Sequence, residues 1–382
     1  MDIILLKTSR PRLLSLISTL SLILFFTSYS FGQVENEEFY KSDTVNSGVK
    51  NIEMLWLPIV FYTPETSFGI GGGIQLFYNN KKSKYNGRKS NILITAIYTV
   101  KNQLMIDVKP QLYFNNGRSY LDGVFRYKVF PNSFWGIGIN TPDSAKESYN
   151  MRTVNIQTAL MWRLTNSTNL GFDVKFENNT MLEIEEGKQL DSANILGSRD
   201  AKINGLLAVY NIDNRDNIYS PKKGIYFQFK AGGYLKIMGS TYEYAKISID
   251  FRQYIPIKKR SVLAYQVYEE SNLGDVPFQG MAWLGGGERT RGYFRGRYID
   301  KQFTALQIEY RWRFKDRWGL SGFVSAGEVT DNISDYLSDV KWSYGGGLRF
   351  QVKKNNPTLV RFDIGVNKFN EVLFYFGVNE AF

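Results

Sequence analysis

Residues 372–382 read Val-Leu-Phe-Tyr-Phe-Gly-Val-Asn-Glu-Ala-Phe, and a period of two divides them into unlike faces. Val372, Phe374, Phe376, Val378 and Phe382 fall on one side; Leu373, Tyr375, Gly377, Asn379 and Ala381 fall on the other. Successive side chains of a strand point in opposite directions, so the first set makes an aromatic-rich apolar face. A strand of this kind fits a wall with lipid on one side and a polar interior on the other.

The pattern repeats along the chain. Alternating segments bounded by turn residues lie near 56–63, 67–78, 89–99, 103–115, 118–128, 149–164, 168–178 and 200–213. Others lie near 223–236, 241–254, 259–271, 303–314, 317–328, 341–352, 358–367 and 372–381. In 303–314, Leu306, Ile308, Tyr310, Trp312 and Phe314 oppose Gln307, Glu309, Arg311 and Arg313. A soluble sandwich also alternates, but sixteen such segments behind a leader favour an all-β, sixteen-stranded antiparallel transmembrane barrel, whose closure leaves no unpaired edge in lipid. The long connections, near 129–148, 179–199, 272–302 and 329–340, all follow odd-numbered strands, which places them outside and most of the short turns in the periplasm.

The leader comprises residues 1–32. Lys7, Arg10 and Arg12 precede an apolar run from Leu13 to Phe26, and Ser30-Phe31-Gly32 offers small residues for cleavage before Gln33. Residues 33–54, polar and acidic, read as a periplasmic tail, and 55–382 as the barrel. The formal charge of +11 loses two units with the leader (Lys7, Arg10 and Arg12 against Asp2), leaving +9. Because these cations are spread through strands, they suit a polar lumen or an anionic lipid surface rather than nucleic acid. The absence of Cys excludes disulfides and thiolate chemistry; the absence of His excludes Ser-His-Asp catalysis and His-based metal sites. The carboxylates Glu185 and Glu186, or Asp213 and Asp216, sit where solvated turn charges are expected. Asp331, Asp335 and Asp339 match no EF-hand spacing. The chain is therefore expected to be a non-enzyme without metal or cofactor.

Between the segments 259–271 and 303–314 lies Trp283-Leu-Gly-Gly-Gly-Glu-Arg-Thr-Arg-Gly-Tyr-Phe-Arg-Gly-Arg-Tyr298. Gly285 to Gly287 permit sharp backbone, so this sixth outer loop can fold back on itself. Arg289, Arg291, Arg295 and Arg297 could be satisfied in a lumen lined by Glu309 and Asp363, or lie in an exposed basic loop. Arg291-Gly292-Tyr293 resembles the Arg-Gly-aromatic motif of the Omp85 superfamily (BamA/TamA-like, bacterial surface antigen D15). Asn211-Ile-Asp-Asn-Arg-Asp-Asn-Ile-Tyr-Ser-Pro-Lys-Lys-Gly224 resembles that family's turn between strands eight and nine, with Asp213, Arg215, Asp216, Pro221 and Gly224 in the matching places. Tyr344–Arg349 and Val360–Gly365 resemble its final strands, and 372–382 resembles the C-terminal strand of outer-membrane barrels. That last likeness implies an assembly signal at Phe374, Phe376 and Phe382. The resemblance runs from about Leu57 to Phe382.

The resemblance implies an outer-membrane location in a Gram-negative bacterium and insertion of Arg291 into the lumen. Glu309 would be its wall acid, beside Arg311. It also implies contacts with outer-membrane lipids, lipopolysaccharide, the assembly machinery and a client or periplasmic partner. Two departures stand out. Phe323-Val-Ser-Ala-Gly327 carries Ser325 where the family has an acid, leaving Asp363 as the substitute. Only about two dozen residues separate Gln33 from the first strand, too few for a periplasmic POTRA module. A monomeric barrel without POTRA domains, assisting insertion or translocation of proteins or lipids, is the expected function. The alternatives are a passive or loop-plugged pore, a structural barrel, and an adhesin or docking module.

Overall fold

The computed structural model describes residues 52–78, 84–85, 88–192, 194–351 and 359–382. The leader and most of the acidic tail lie outside the described residues. Sixteen strands make the wall: β1 (Ile52–Thr63), β2 (Ser67–Tyr78), β3 (Arg88–Thr99), β4 (Leu104–Phe114), β5 (Ser119–Phe134), β6 (Glu147–Arg163), β7 (Thr168–Ile184) and β8 (Asp200–Asp213). They continue as β9 (Gly224–Tyr234), β10 (Tyr244–Lys258), β11 (Ser261–Gly274), β12 (Gln302–Trp312), β13 (Trp318–Thr330), β14 (Lys341–Gln351), β15 (Leu359–Asn367) and β16 (Val372–Val378). Each pairs antiparallel with the next, and β16 pairs back onto β1, closing the barrel. The first strand begins at Ile52, three residues inside the stretch read from sequence as tail.

Alternation decides which way each side chain points. On β12, Leu306, Ile308, Tyr310 and Trp312 are exposed to the outside, whereas Gln307, Glu309 and Arg311 are buried within. The inward polar groups bond one another instead of water: Arg126 to Asp107 at 2.7 Å, Lys230 to Asp173 at 2.6 Å, Lys246 to Glu270 at 2.6 Å. Sharing hydrogen bonds between nearby strands along the inner wall is what makes burial of so many charges tolerable.

Two strands run further than alternation suggests. β5 reaches Phe134 rather than ending near 128, and β7 reaches Ile184 rather than 178. Their outer ends are covered by loops, so pairing continues beyond the lipid band: Phe134, Tyr149, Met151 and Ile203 pack with Leu190 from the β7–β8 loop and Phe278 from the β11–β12 loop.

The C-terminus corrects one expectation. β16 stops at Val378, and Asn379 takes φ +65°, which breaks the period of two. Phe374 and Val378 stay on the outer face, but Phe382 turns inward, 5% exposed, against Tyr254 and Ala264 of β10 and β11. Phe382 therefore does not share the lipid face of Phe374 and Phe376. Truncating it to alanine should cost about 3–5 kcal/mol, measured as a lower urea midpoint of the heat-modifiable folded band. An unchanged midpoint would show that the terminal ring carries no packing energy.

Candidate functional site: the loop-six latch

The sixth outer loop joins β11 to β12 and folds back into the lumen. A short hairpin, Ala282–Leu284 paired with Tyr298–Asp300, packs on the inner faces of Phe303, Ala305 and Val329. Gly285 and Gly286 have φ of +104° and +94°, the conformation the glycine run permits. The tip then places Arg291 at the centre of the β12–β16 wall.

Arg291 is 0% exposed. Its Nη2 donates to Glu309 Oε2 on β12, and its Nη1 to Asp363 Oδ2 on β15 at 2.8 Å. Its guanidinium carbon lies 3.6 Å from the centre of the Phe323 ring. Glu309 also accepts from Arg311 Nε at 2.8 Å and lies 3.4 Å from Arg349 Nη2. Asp363 accepts from Arg349 Nη1 and from Arg361 Nη1, the latter at 3.2 Å. A third carboxylate, Glu380, receives Arg349 Nε at 2.7 Å. Four guanidiniums are thus held by three acids, each acid shared. In such a buried network, loss of one partner strands a charge that cannot reach water.

The rest of the motif fixes the depth of insertion. Gly292, at φ +114°, lies so near β15 that a Cβ on Gly365 would fall 2.7 Å from its nitrogen and 2.9 Å from the Arg291 carbonyl carbon. Only glycine on the wall strand allows that approach. Gly292 N donates to the Tyr375 hydroxyl at 3.0 Å, and that hydroxyl donates to Tyr293 O at 3.2 Å. Asn367 Nδ2 donates to Gly292 O at 3.0 Å. The Tyr293 hydroxyl donates to Trp342 O at 2.9 Å, and burial pushes its pKa up to about 12, so it remains a donor at neutral pH.

Ser325, standing where an acid was expected, bonds the Ser343 hydroxyl at 2.7 Å. The second carboxylate on Arg291 therefore comes from β15 instead of β13. Sequence reasoning named Arg291, Gly292, Tyr293, Glu309, Arg311 and Asp363, and the fold brings these six together. Arg349, Arg361, Tyr375 and Asn367 were missed, although strand alternation turns all four inward. Glu380 lies beyond the last strand, where alternation gives no direction.

The turn between β8 and β9 is a separate feature at the short-turn end. Arg215 makes a two-pronged pair with Asp213 at 2.8 and 3.0 Å and lies over the Tyr226 ring. Asp216 accepts the amides of Lys222 and Lys223, Pro221 is buried, and Gly224 takes φ +108°. These are contacts that shape a turn. They reach the latch indirectly, because Tyr219 O accepts the Glu380 amide at 3.2 Å. Beside the turn, Asp122, Asp213, Arg215, Tyr226 and Lys230 line part of a cavity of about 240 Å3. The loop carboxylates are likewise engaged: Glu185 accepts the Ser148 amide, Asp331 meets Lys301, and Asp339 meets Lys341 and Lys368.

Residues 106–382 match the Omp85 superfamily domain. The chain belongs to the Omp85 superfamily. Its fold is similar to that of BamA from Haemophilus ducreyi lacking POTRA domains 1–3, at 15% identity and a TM-score of 0.61, covering 86% of this chain and 70% of that one. It is also similar to CdiB from Acinetobacter baumannii (11%, TM-score 0.54) and CdiB from Escherichia coli (11%, TM-score 0.55). Those matches cover 87% of this chain but only 60% and 63% of the respective CdiB chains. No curated protein matches the sequence. Superfamily membership makes this an outer-membrane barrel of the insertion and translocation class.

Within this Omp85 barrel, Asp363→Asn removes charge from a site touched by three guanidiniums, while Glu380→Gln removes it from one touched chiefly by Arg349. Asparagine at 363 should destabilise by about 3–5 kcal/mol and glutamine at 380 by less, ranked by urea midpoints. The reverse order would mean that Glu380, not Asp363, carries the network.

Proposed function

We propose that this barrel assists the insertion or translocation of proteins or lipids at the outer membrane, with the β1–β16 junction as its working edge. The observation behind this reading is the weakness of that junction. β1 pairs with β2 along all twelve residues, Ile52 to Thr63, but meets β16 at the single register pair Tyr62 and Phe376. β16 is seven residues long and the tail then turns inward, so the edge of β1 from Ile52 to Ile59 carries no β16 ladder. Pro58, opposite Gly72 on β2, contributes no amide proton to any ladder. A β1 edge that β16 does not ladder can pair through its main chain with an incoming strand.

Tyr62→Cys with Phe376→Cys tests this reading, since the native chain has no other thiol to interfere. In vesicles, the reduced double variant should accelerate folding of a separate barrel protein, and the oxidised, stapled form should lose most of that acceleration. Equal acceleration in both states would remove the seam from the mechanism.

The pore reading makes a different demand. Loop six fills the wall-side lumen and the β5–β8 loops cover the outer end, which favours low conductance. Planar-bilayer currents should be small and flickering in the native protein and should rise in Arg291→Ala. Large, steady native currents would favour a passive pore.

A further inference from the structure

The net positive charge of the chain fits either a polar lumen or an anionic lipid surface, and the strand order separates the two. Inside the wall, cations and acids pair off, as in Lys230 with Asp173, Lys246 with Glu270 and the latch itself. At the strand ends they do not. The connections after odd-numbered strands are 64–66, 100–103, 135–146, 185–199, 235–243, 275–301, 331–340 and 368–371. Together they carry eleven Lys and Arg against thirteen Asp and Glu. The fully described connections after even-numbered strands are 115–118, 164–167, 214–223, 259–260 and 313–317. These carry nine Lys and Arg against two Asp. The long-loop end is slightly acidic and the short-turn end strongly basic.

Little of that basic charge is neutralised by the protein. Arg215 is held by Asp213, and Arg260 lies 3.6 Å from Asp316 in a pair exposed on both sides, which is weak in water. Lys222, Lys223, Lys259 and Lys315 are exposed and make no ion pair among the described residues. Asp216 accepts the backbone amides of Lys222 and Lys223 rather than their ammonium groups.

A second observation sets the depth of this rim. Phe114, Trp162, Trp312 and Trp318 lie at strand ends on the same side of the barrel, with their rings exposed. Aromatic rings gather where a barrel wall leaves hydrocarbon for headgroups. Lys315 stands three residues beyond Trp312 and Arg118 four beyond Phe114, so the cations begin where the headgroups do. Their distribution points to the partner. They sit on the turns after β4, β8, β10 and β12, which span more than half of the sixteen strands. A docked protein needs its contacts on one side, whereas a leaflet surrounds the barrel and meets every turn.

We propose that the short-turn rim is a docking surface for anionic phospholipid of the periplasmic leaflet, held by Lys222, Lys223, Lys259 and Lys315. Each lysine close to an anionic surface adds to the attraction, which fades within a Debye length and so needs the cations at headgroup level. The surface goes beyond the seam reading and does not depend on it.

Lipid selectivity tests it. The folded protein is placed in phosphatidylcholine vesicles with a trace of spin-labelled phosphatidylglycerol or spin-labelled phosphatidylcholine, with no client. The motionally restricted fraction of each label reports how often that lipid lies against the wall. Phosphatidylglycerol should be preferred several-fold, and high salt should remove most of the preference. Lys222→Gln, Lys223→Gln, Lys259→Gln and Lys315→Gln combined should also remove most of it, with heat-modifiable mobility confirming the fold. Lys188→Gln with Lys236→Gln, at the long-loop end, should leave it intact. Equal association of the two lipids with the native protein would overturn the proposal and leave the rim to an acidic protein. A preference that survives both high salt and the fourfold variant would overturn it as well. The salt series on the native protein decides the matter if the fourfold variant does not fold, and neither result bears on the staple experiment.

Discussion

A guanidinium buried completely inside a protein must be paid for by carboxylates within reach, and Arg291 imposes that condition on one half of the barrel. It requires Glu309 on β12 and Asp363 on β15 to point at one spot, which fixes the register of the strands between them. Full insertion of the arginine further requires the backbone to pass close to β15, hence glycine at 292 and at 365. Sharing the acids draws in Arg311, Arg349 and Arg361. Through Glu380 it draws in the terminal tail as well. The loop, strands β12, β14 and β15 and the last residues of the chain are thus held by one electrostatic arrangement.

β1 has no share in it. Its neighbour β2 carries glycine, and its ladder to β16 is a single register pair. The barrel therefore has a firmly cross-linked side, β12–β16, adjoining a side joined mainly by its own hairpin. The inward turn at Asn379 sharpens this contrast. The residues that could have extended β16 along β1 instead carry Glu380 to Arg349 and Phe382 to Tyr254. Strength in the latch and weakness in the seam come from the same few residues.

Much of this was legible in the sequence, because lipid outside and charge inside impose a period of two that no other environment sustains over so many segments. All sixteen strands lie near the places alternation puts them. The errors fall where that rule lapses: β5 and β7 continue under loops beyond the lipid, and Phe382 leaves the pattern at a left-handed asparagine. The latch residues were readable for a related reason, since an arginine in a glycine-rich loop needs acids and the inward positions of β12 and β15 supply them. Arg349 and Arg361 occupy equally inward positions, yet a local pattern does not say which strands a loop will reach. Pro58 and Pro64, which remove ladder donors, fit a short, weak seam, but the register of β1–β16 pairing could not be read locally, because it depends on how the whole wall is staggered.

The wall is strongly held along β12–β16 and weakly held where β1 meets β16. Residue-resolved hydrogen exchange of the protein in lipid vesicles tests this directly. The β16-facing amides of β1 between Ile52 and Ile59 should exchange well ahead of those in β12 and β13. Equal protection in β1 and β12 would contradict it and would describe a uniformly sealed barrel.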